Sequence, residues 1–148
     1  QISKLHLIQS FPVNYWQEAE SVWKENGGWT EGDFWGLKVV SNHALNSPIN
    51  QISYEFNLKE SGYYNVWLNL RHDGARGILT YQVDSTTPQT LQALYGKAGE
   101  VSPWIMKEKK LGKYFLDAGI HQITFSNSIS KEGIYNDLNY FYLSLTSP

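Results

Sequence analysis

Residues 51–58 alternate without a break: Ile52, Tyr54, Phe56 and Leu58 fall on one side, Ser53, Glu55 and Asn57 on the other. A period of two marks a strand with one buried face, because successive side chains of an extended chain point to opposite sides. Residues 59–62 supply a turn, and residues 63–70 alternate again, with Tyr64, Val66, Leu68 and Leu70 sharing a face. The two runs read as a β-hairpin. Comparable runs predict strands at 78–83, 90–94, 104–111, 121–126 and 138–145, most of them separated by Gly, Pro, Asp or Asn. Weaker alternation at 4–9, 16–20 and 37–41 adds three candidates. No amphipathic helical pattern extends beyond about two turns. Many short strands at near-regular spacing predict an all-β fold, a β-sandwich of the jelly-roll type. The chain reads as one domain over 1–148, with its core at about 15–145.

Two stretches break the pattern. Residues 24–33 form a glycine-rich run with Trp29 at its tip, leading into Phe34 and Trp35; residues 43–50 form the second. Long loops in a compact domain are more often functional than idle.

Composition changes this picture in several ways. Aromatic residues make up 15% of the 148 positions, with six Trp and ten Tyr, so some must lie outside the core. Charged residues are only 18%, and Asn, Ser and Gln supply much of the polar surface, which suits an uncharged, hydroxyl-rich partner. The formal charge is -2 with no basic stripe, which argues against nucleic acid as a partner. The one run, Lys107-Glu108-Lys109-Lys110, is interrupted by an acid and reads as a solvated strand face or an anion contact. The absence of cysteine removes disulfides, thiolate zinc sites and Cys nucleophiles together. No segment approaches the roughly 20 apolar residues of a membrane span, so no membrane insertion is expected. No signal peptide is visible, and the chain reads as mature or cut from something larger.

Several groups of residues carry chemistry. Glu18 and Glu20 are two apart, so a strand would present both on one face, either as solvated acids or sharing a cation. Trp104 follows Ser102 and Pro103; it is either a stacking platform for a sugar ring or a core residue at a strand start. Trp35 with Phe34, and Trp29, are loop aromatics with the same two readings, whereas Trp67 reads as packing and Trp16 and Trp23 as core. Asn136, just before the last predicted strand, offers two donors and an acceptor, and Tyr135 beside it is a second flat ring. The turn Arg71-His-Asp-Gly-Ala-Arg76 holds both arginines of the chain, which either grip an acidic sugar such as a uronate or pair with Asp73. Histidines are scattered, and no phosphate loop, Ser/His/Asp pattern or zinc spacing is present. Fourteen acids contain a pair at glycosidase separation by chance alone, so no enzymatic activity is read from them.

Taken in order, these residues resemble a known family. Gln17-Glu-Ala-Glu20, Tyr54 with Ser61-Gly-Tyr-Tyr64, Tyr81-Gln-Val-Asp84, Trp104, Leu116-Asp-Ala-Gly-Ile-His121 with Ile123 and Phe125, and Asp137-Leu-Asn-Tyr-Phe141 are similar to the family 6 and family 35 carbohydrate-binding modules. The resemblance implies a jelly roll whose last strand lies beside its first, a structural calcium, and a sugar site in the loops at one end. Carried onto this chain, it implies Glu18 and Glu20, with Asp137 or Asn139, as calcium ligands, Trp104 and the Asn136 region against the sugar, and a structural His121. The chain departs from the family in its longer stretch between Trp29 and Tyr54, and in Asn139 where an acid is common. The expectation is a non-catalytic, secreted or cell-surface module that binds a glycan ligand and belongs to a larger carbohydrate-active or surface protein. The alternatives are a structural or protein-binding β-sandwich and, third, a small hydrolase or lyase.

Overall fold

The computed structural model describes residues 13–21, 28–34, 36–43 and 50–148, and among them every regular element is a β-strand. The strands are β1 (Tyr15–Glu18), β2 (Thr30–Phe34), β3 (Leu37–His43), β4 (Gln51–Leu58), β5 (Gly62–His72), β6 (Ile78–Val83), β7 (Gln89–Leu91), β8 (Ile105–Leu116), β9 (Gly119–Ser128) and β10 (Tyr135–Thr146). They form two antiparallel sheets. One has six strands in the order β2-β3-β10-β5-β8, with β1 also paired to β10; the other has four in the order β4-β9-β6-β7. The first and last strands therefore lie side by side, as the resemblance implies. The candidate strand at 4–9, Trp23 and residues 44–49 lie outside the described residues.

The alternating runs bury the faces expected of them. Ile52, Tyr54, Phe56 and Leu58 of β4 meet Tyr64, Val66, Leu68 and Leu70 of β5 in the core. The two strands are nevertheless not a hairpin. Among the described residues β4 pairs only with β9, and β5 pairs with β10 and β8. The turn at 59–61 carries the chain from one sheet to the other. Two amphipathic strands joined by a tight turn can bury their apolar sides edge to edge or face to face, and alternation is the same in both. Here the core fills from both sheets, so the strands face each other.

A second correction concerns the glycine-rich run. Residues 24–27 lie outside the described residues, and residues 30–34 are a strand paired along its length with β3. Gly28, at φ 92°, makes the bend before it. Trp29 is wholly buried in the core and donates its indole N–H to the Asn50 carbonyl at 2.8 Å. It is not a loop-tip platform. Trp16, read as core, instead lies half-buried on the outer side of the six-stranded sheet, stacked on Tyr140 and Tyr142.

Candidate functional site

At one end of the sandwich the strands are joined by long connections: residues 73–77, 92–104 and 129–134. Such segments lack ladder partners, so their backbone groups must be satisfied another way. Asp73, fully buried at the end of β5, does much of this. Its Oδ1 accepts the Ala75 N–H and the Arg76 Nε–H, each at 2.8 Å, and its Oδ2 accepts the Arg71 Nε–H at 2.9 Å. Its main chain joins the 92–104 connection, donating to the Ala93 carbonyl at 3.1 Å and accepting from the Tyr95 N–H at 3.0 Å. Gly74 lets the two segments touch: a Cβ there would stand 1.7 Å from the Lys97 carbonyl oxygen.

Both arginines extend this network. Arg71 donates from Nη2 to the Val101 carbonyl at 2.8 Å, and its guanidinium lies 4.9 Å from the centre of the Trp104 ring. Arg76, 1% exposed, donates from Nη1 to Asp137 Oδ2 at 2.7 Å; Asp137 Oδ1 accepts the Ser41 hydroxyl across the β3–β10 pair. The Arg76 guanidinium also sits 5.7 Å from the Tyr135 ring, which meets His43 edge-on at 4.5 Å.

A cavity of about 260 Å³ opens on this network. Ser41, His43, Tyr135 and Asp137 line it from β3 and β10, Arg71 from the end of β5, and Arg76 and Val101 from the connections. Behind it, His72 is buried, with Nδ1 3.0 Å from the Leu70 carbonyl and Nε2 meeting no partner. Burial pushes its pKa below the ordinary histidine value, the bond to Leu70 opposes this, and Lys109, Lys107 and Arg76 lower it further.

The structure brings Tyr135, Arg71 and half-buried Trp104 to this end together. It does not bring Asn136 to the surface. The last strand starts at Tyr135 rather than 138, so position 136 already alternates inward opposite Asn42. Asn136 is fully buried, and its amide donates to Asn127 Oδ1 at 2.9 Å. The Phe34 side chain and Trp35 lie outside the described residues. Residues at the cavity that the sequence reading did not single out are Ser41, His43 and Val101. Ser41 was visible only as part of a weak strand.

The four candidate calcium ligands are distributed differently. Asp137 is engaged by Arg76 and Ser41, a correction to its reading as a metal ligand: an arginine already neutralises it. Asn139 donates its amide to Asn69 Oδ1 at 2.9 Å, and its carbonyl accepts the Ala19 N–H at 2.9 Å. Glu18 accepts the Trp16 indole N–H. β1 ends at Glu18, so Glu20 lies past the strand and the expected shared face is lost. Glu20 Oε1 is buried without a hydrogen-bond partner. Among the described residues, no three His, Asp or Glu side chains group closely enough to hold a metal by themselves.

A second aromatic group was not foreseen. On the outer face of the six-stranded sheet, Trp16 stacks on Tyr140 at 4.2 Å and on Tyr142 at 5.4 Å, and Trp67 stacks on Tyr142 at 6.4 Å. Both tyrosine hydroxyls donate to Glu108. Burial and the Glu108 carboxylate together push both phenols well above their ordinary range. The available signal was the alternation of Tyr140 and Tyr142 opposite Phe141 and Leu143 in the final strand.

This fold is that of the family 35 and family 6 carbohydrate-binding modules. The family 35 module from Clostridium thermocellum is similar over 88% of this chain and 98% of its own length, with 13% identity and a TM-score of 0.63. The module CBM6cm-2 from Cellvibrio mixtus lichenase 5A, solved in complex with cellotriose, matches 90% of this chain and 98% of its own, with 21% identity and a TM-score of 0.58. The GH26-CBM35 β-(1,4)-mannanase of Podospora anserina matches 90% of this chain with 14% identity and a TM-score of 0.64, the match spanning 28% of that enzyme. No family profile and no curated protein sequence matches the chain.

Proposed function

We propose that this protein is a non-catalytic carbohydrate-binding module that takes a glycan at the cavity lined by Tyr135 and Arg71, with Trp104 next to Arg71. One observation carries the reading: the Tyr135 and His43 rings and the hydroxyl-matching groups of Ser41, Arg71 and Asp137 line one opening at the loop end of the sandwich, and the Trp104 ring packs against the Arg71 guanidinium there. Sugar rings offer C–H patches to flat aromatic faces and hydroxyls to directed polar groups, and ligand sites combine both. The two buried carboxylates at this end, Asp73 and Asp137, are each held by arginine, which suits binding rather than proton transfer to a glycosidic oxygen. The module folds of lichenase and mannanase chains support the same reading, and the mannanase supports attachment to a larger secreted or surface protein.

A structural calcium forms part of the proposal. Calcium takes six to eight oxygen ligands. The residues present fit it at the turn after β1, where the unpartnered Glu20 oxygen lies in a segment tied to Asn139 through Ala19. Glu20, Glu18 and the Asn139 oxygen would hold the ion; Asp137 would not.

The test is a glycan array on the purified chain, with and without a chelator. Binding to one glycan class is expected, together with a lower melting temperature after chelation, because a ligand of the folded state stabilises it. An array without any binding defeats the glycan reading, and an unchanged melting temperature defeats the calcium.

A further inference from the structure

The charges beneath the cavity balance within one hydrogen-bonded network. Two guanidinium groups, Arg71 and Arg76, are matched by two carboxylates, Asp73 and Asp137, at 2.9, 2.8 and 2.7 Å. Arg76 bridges the two carboxylates, and Arg71 bridges Asp73 and the Val101 carbonyl. Asp73 is the hub: it holds both arginines and is itself wholly buried.

We propose that the site selects an uncharged glycan over a uronate, and that Asp73 is the residue that sets this preference. The inference rests on the glycan reading of the cavity and goes further by naming the ligand's charge class. A sugar carboxylate is recognised when a guanidinium can offer it a fork of N–H donors. Here Asp73 engages Nε of both arginines, and their other paired nitrogens meet Asp137 and Val101. A uronate would bring a third carboxylate to a network that is already neutral, beside Asp137 at the cavity edge. It would lose its hydration without gaining an unmatched cation, and like charges in a partly desolvated site repel strongly. A neutral sugar meets none of these costs. Its hydroxyls can donate to Asp137 oxygens and exchange hydrogen bonds with Ser41 and the His43 ring, while Tyr135 offers a ring face. The low charged fraction of the chain, 18%, points the same way.

The experiment compares matched ligands on the intact chain by calorimetry. Oligosaccharides of glucose, mannose and galactose are each set against the corresponding uronate oligosaccharide. The best neutral ligand is expected to bind at least about tenfold more tightly than its uronate counterpart. Its affinity should change less than about twofold between roughly 0.02 and 0.5 M salt, because screening acts on charged ligands. A uronate that binds more tightly than its neutral counterpart overturns this inference and leaves the glycan reading standing. Binding by neither series overturns both. The cause is then tested with Asp73→Asn, which keeps the shape and an acceptor for the Ala75 N–H but removes the charge. The ratio of uronate to neutral affinity should rise at least about fivefold. Asp137→Asn, at the cavity edge, repeats the charge change at a less buried position, and there too the ratio should rise. A ratio unchanged in both folded variants removes Asp73 from its assigned role, and the wild-type comparison stands whether or not either variant folds.

Discussion

The two ends of the sandwich are closed by opposite means. At the cavity end, the connections 73–77, 92–104 and 129–134 are long, and a buried lattice of two arginines and two aspartates holds them. At the far end, residues 59–61 and 117–118 turn the chain tightly, and the ion pair there, His121 Nδ1 to Asp84 Oδ2 at 2.7 Å, lies near solvent. The tight turns are closed by nearby side chains: Ser61 Oγ accepts the Ala118 N–H at 2.8 Å, and Tyr64 donates its hydroxyl to the Glu60 carbonyl. The long connections leave backbone and charge to be satisfied from within, and that internal scaffold shapes an opening. An opening forms where the connections run long.

The largest test of this contrast replaces the aspartate at each end. Asp73→Asn leaves buried arginine charge partly unmatched and should cost about 3–5 kcal/mol of unfolding free energy. Asp84→Asn should cost about 1 kcal/mol or less, because Asp84 is 37% exposed and Asn tolerates its φ of 49°. Urea denaturation of both variants decides it; equal costs would erase the distinction between the ends.

The next test separates two tryptophans. Trp29→Ala empties a wholly buried core position and should cost about 3–5 kcal/mol in stability. Trp104→Ala should instead weaken glycan binding at least about tenfold with a much smaller change in melting. Both quantities must be measured on each variant, and a Trp104→Ala protein that binds like the parent would remove that ring from the site.

The smallest effects are in pH, and the two ends carry opposite signs. At the far end, burial alone would lower the His121 pKa, but the bond to the Asp117 carbonyl and the Asp84 carboxylate outweigh it and raise the value. A raised folded-state pKa gives stability that is complete below the unfolded value of about 6.5 and is lost as pH rises through the folded value. At the cavity end the His72 pKa is lowered, chiefly by burial. The unfolded chain then binds a proton that the folded protein does not, so stability falls as pH drops below about 6.5 toward the folded value. The two contributions together place an optimum near about pH 6.5. His121→Gln should flatten the alkaline side of the melting profile, and His72→Gln the acid side. A profile in which each variant flattens the wrong side contradicts the assignment.

Much of the fold was legible because alternation is a local property of an extended backbone. It placed Tyr54 and Leu68 in the core, and it set Trp67 on the opposite face from Val66 and Leu68. The site was legible only in part. Trp104, Tyr135 and Arg71 could be named from neighbouring turn residues, whereas Asn136 was misplaced because its strand starts three residues earlier than the apolar run.

What the sequence by itself determined was which sides of the strands are apolar, that no helix competes with them, and that more aromatic rings are present than a core absorbs. Only the tertiary structure decided that β4 and β5 face each other rather than pair, and that Trp29 is core while Trp104 is half-buried against Arg71. It also decided that Arg76 answers Asp137, 61 residues away, and that Ser41 reaches the same carboxylate across 96 residues. The reason is physical. A side chain's face follows from the backbone at that residue, whereas its partner is chosen by whatever the fold brings within about 3 Å, and that choice leaves no local pattern.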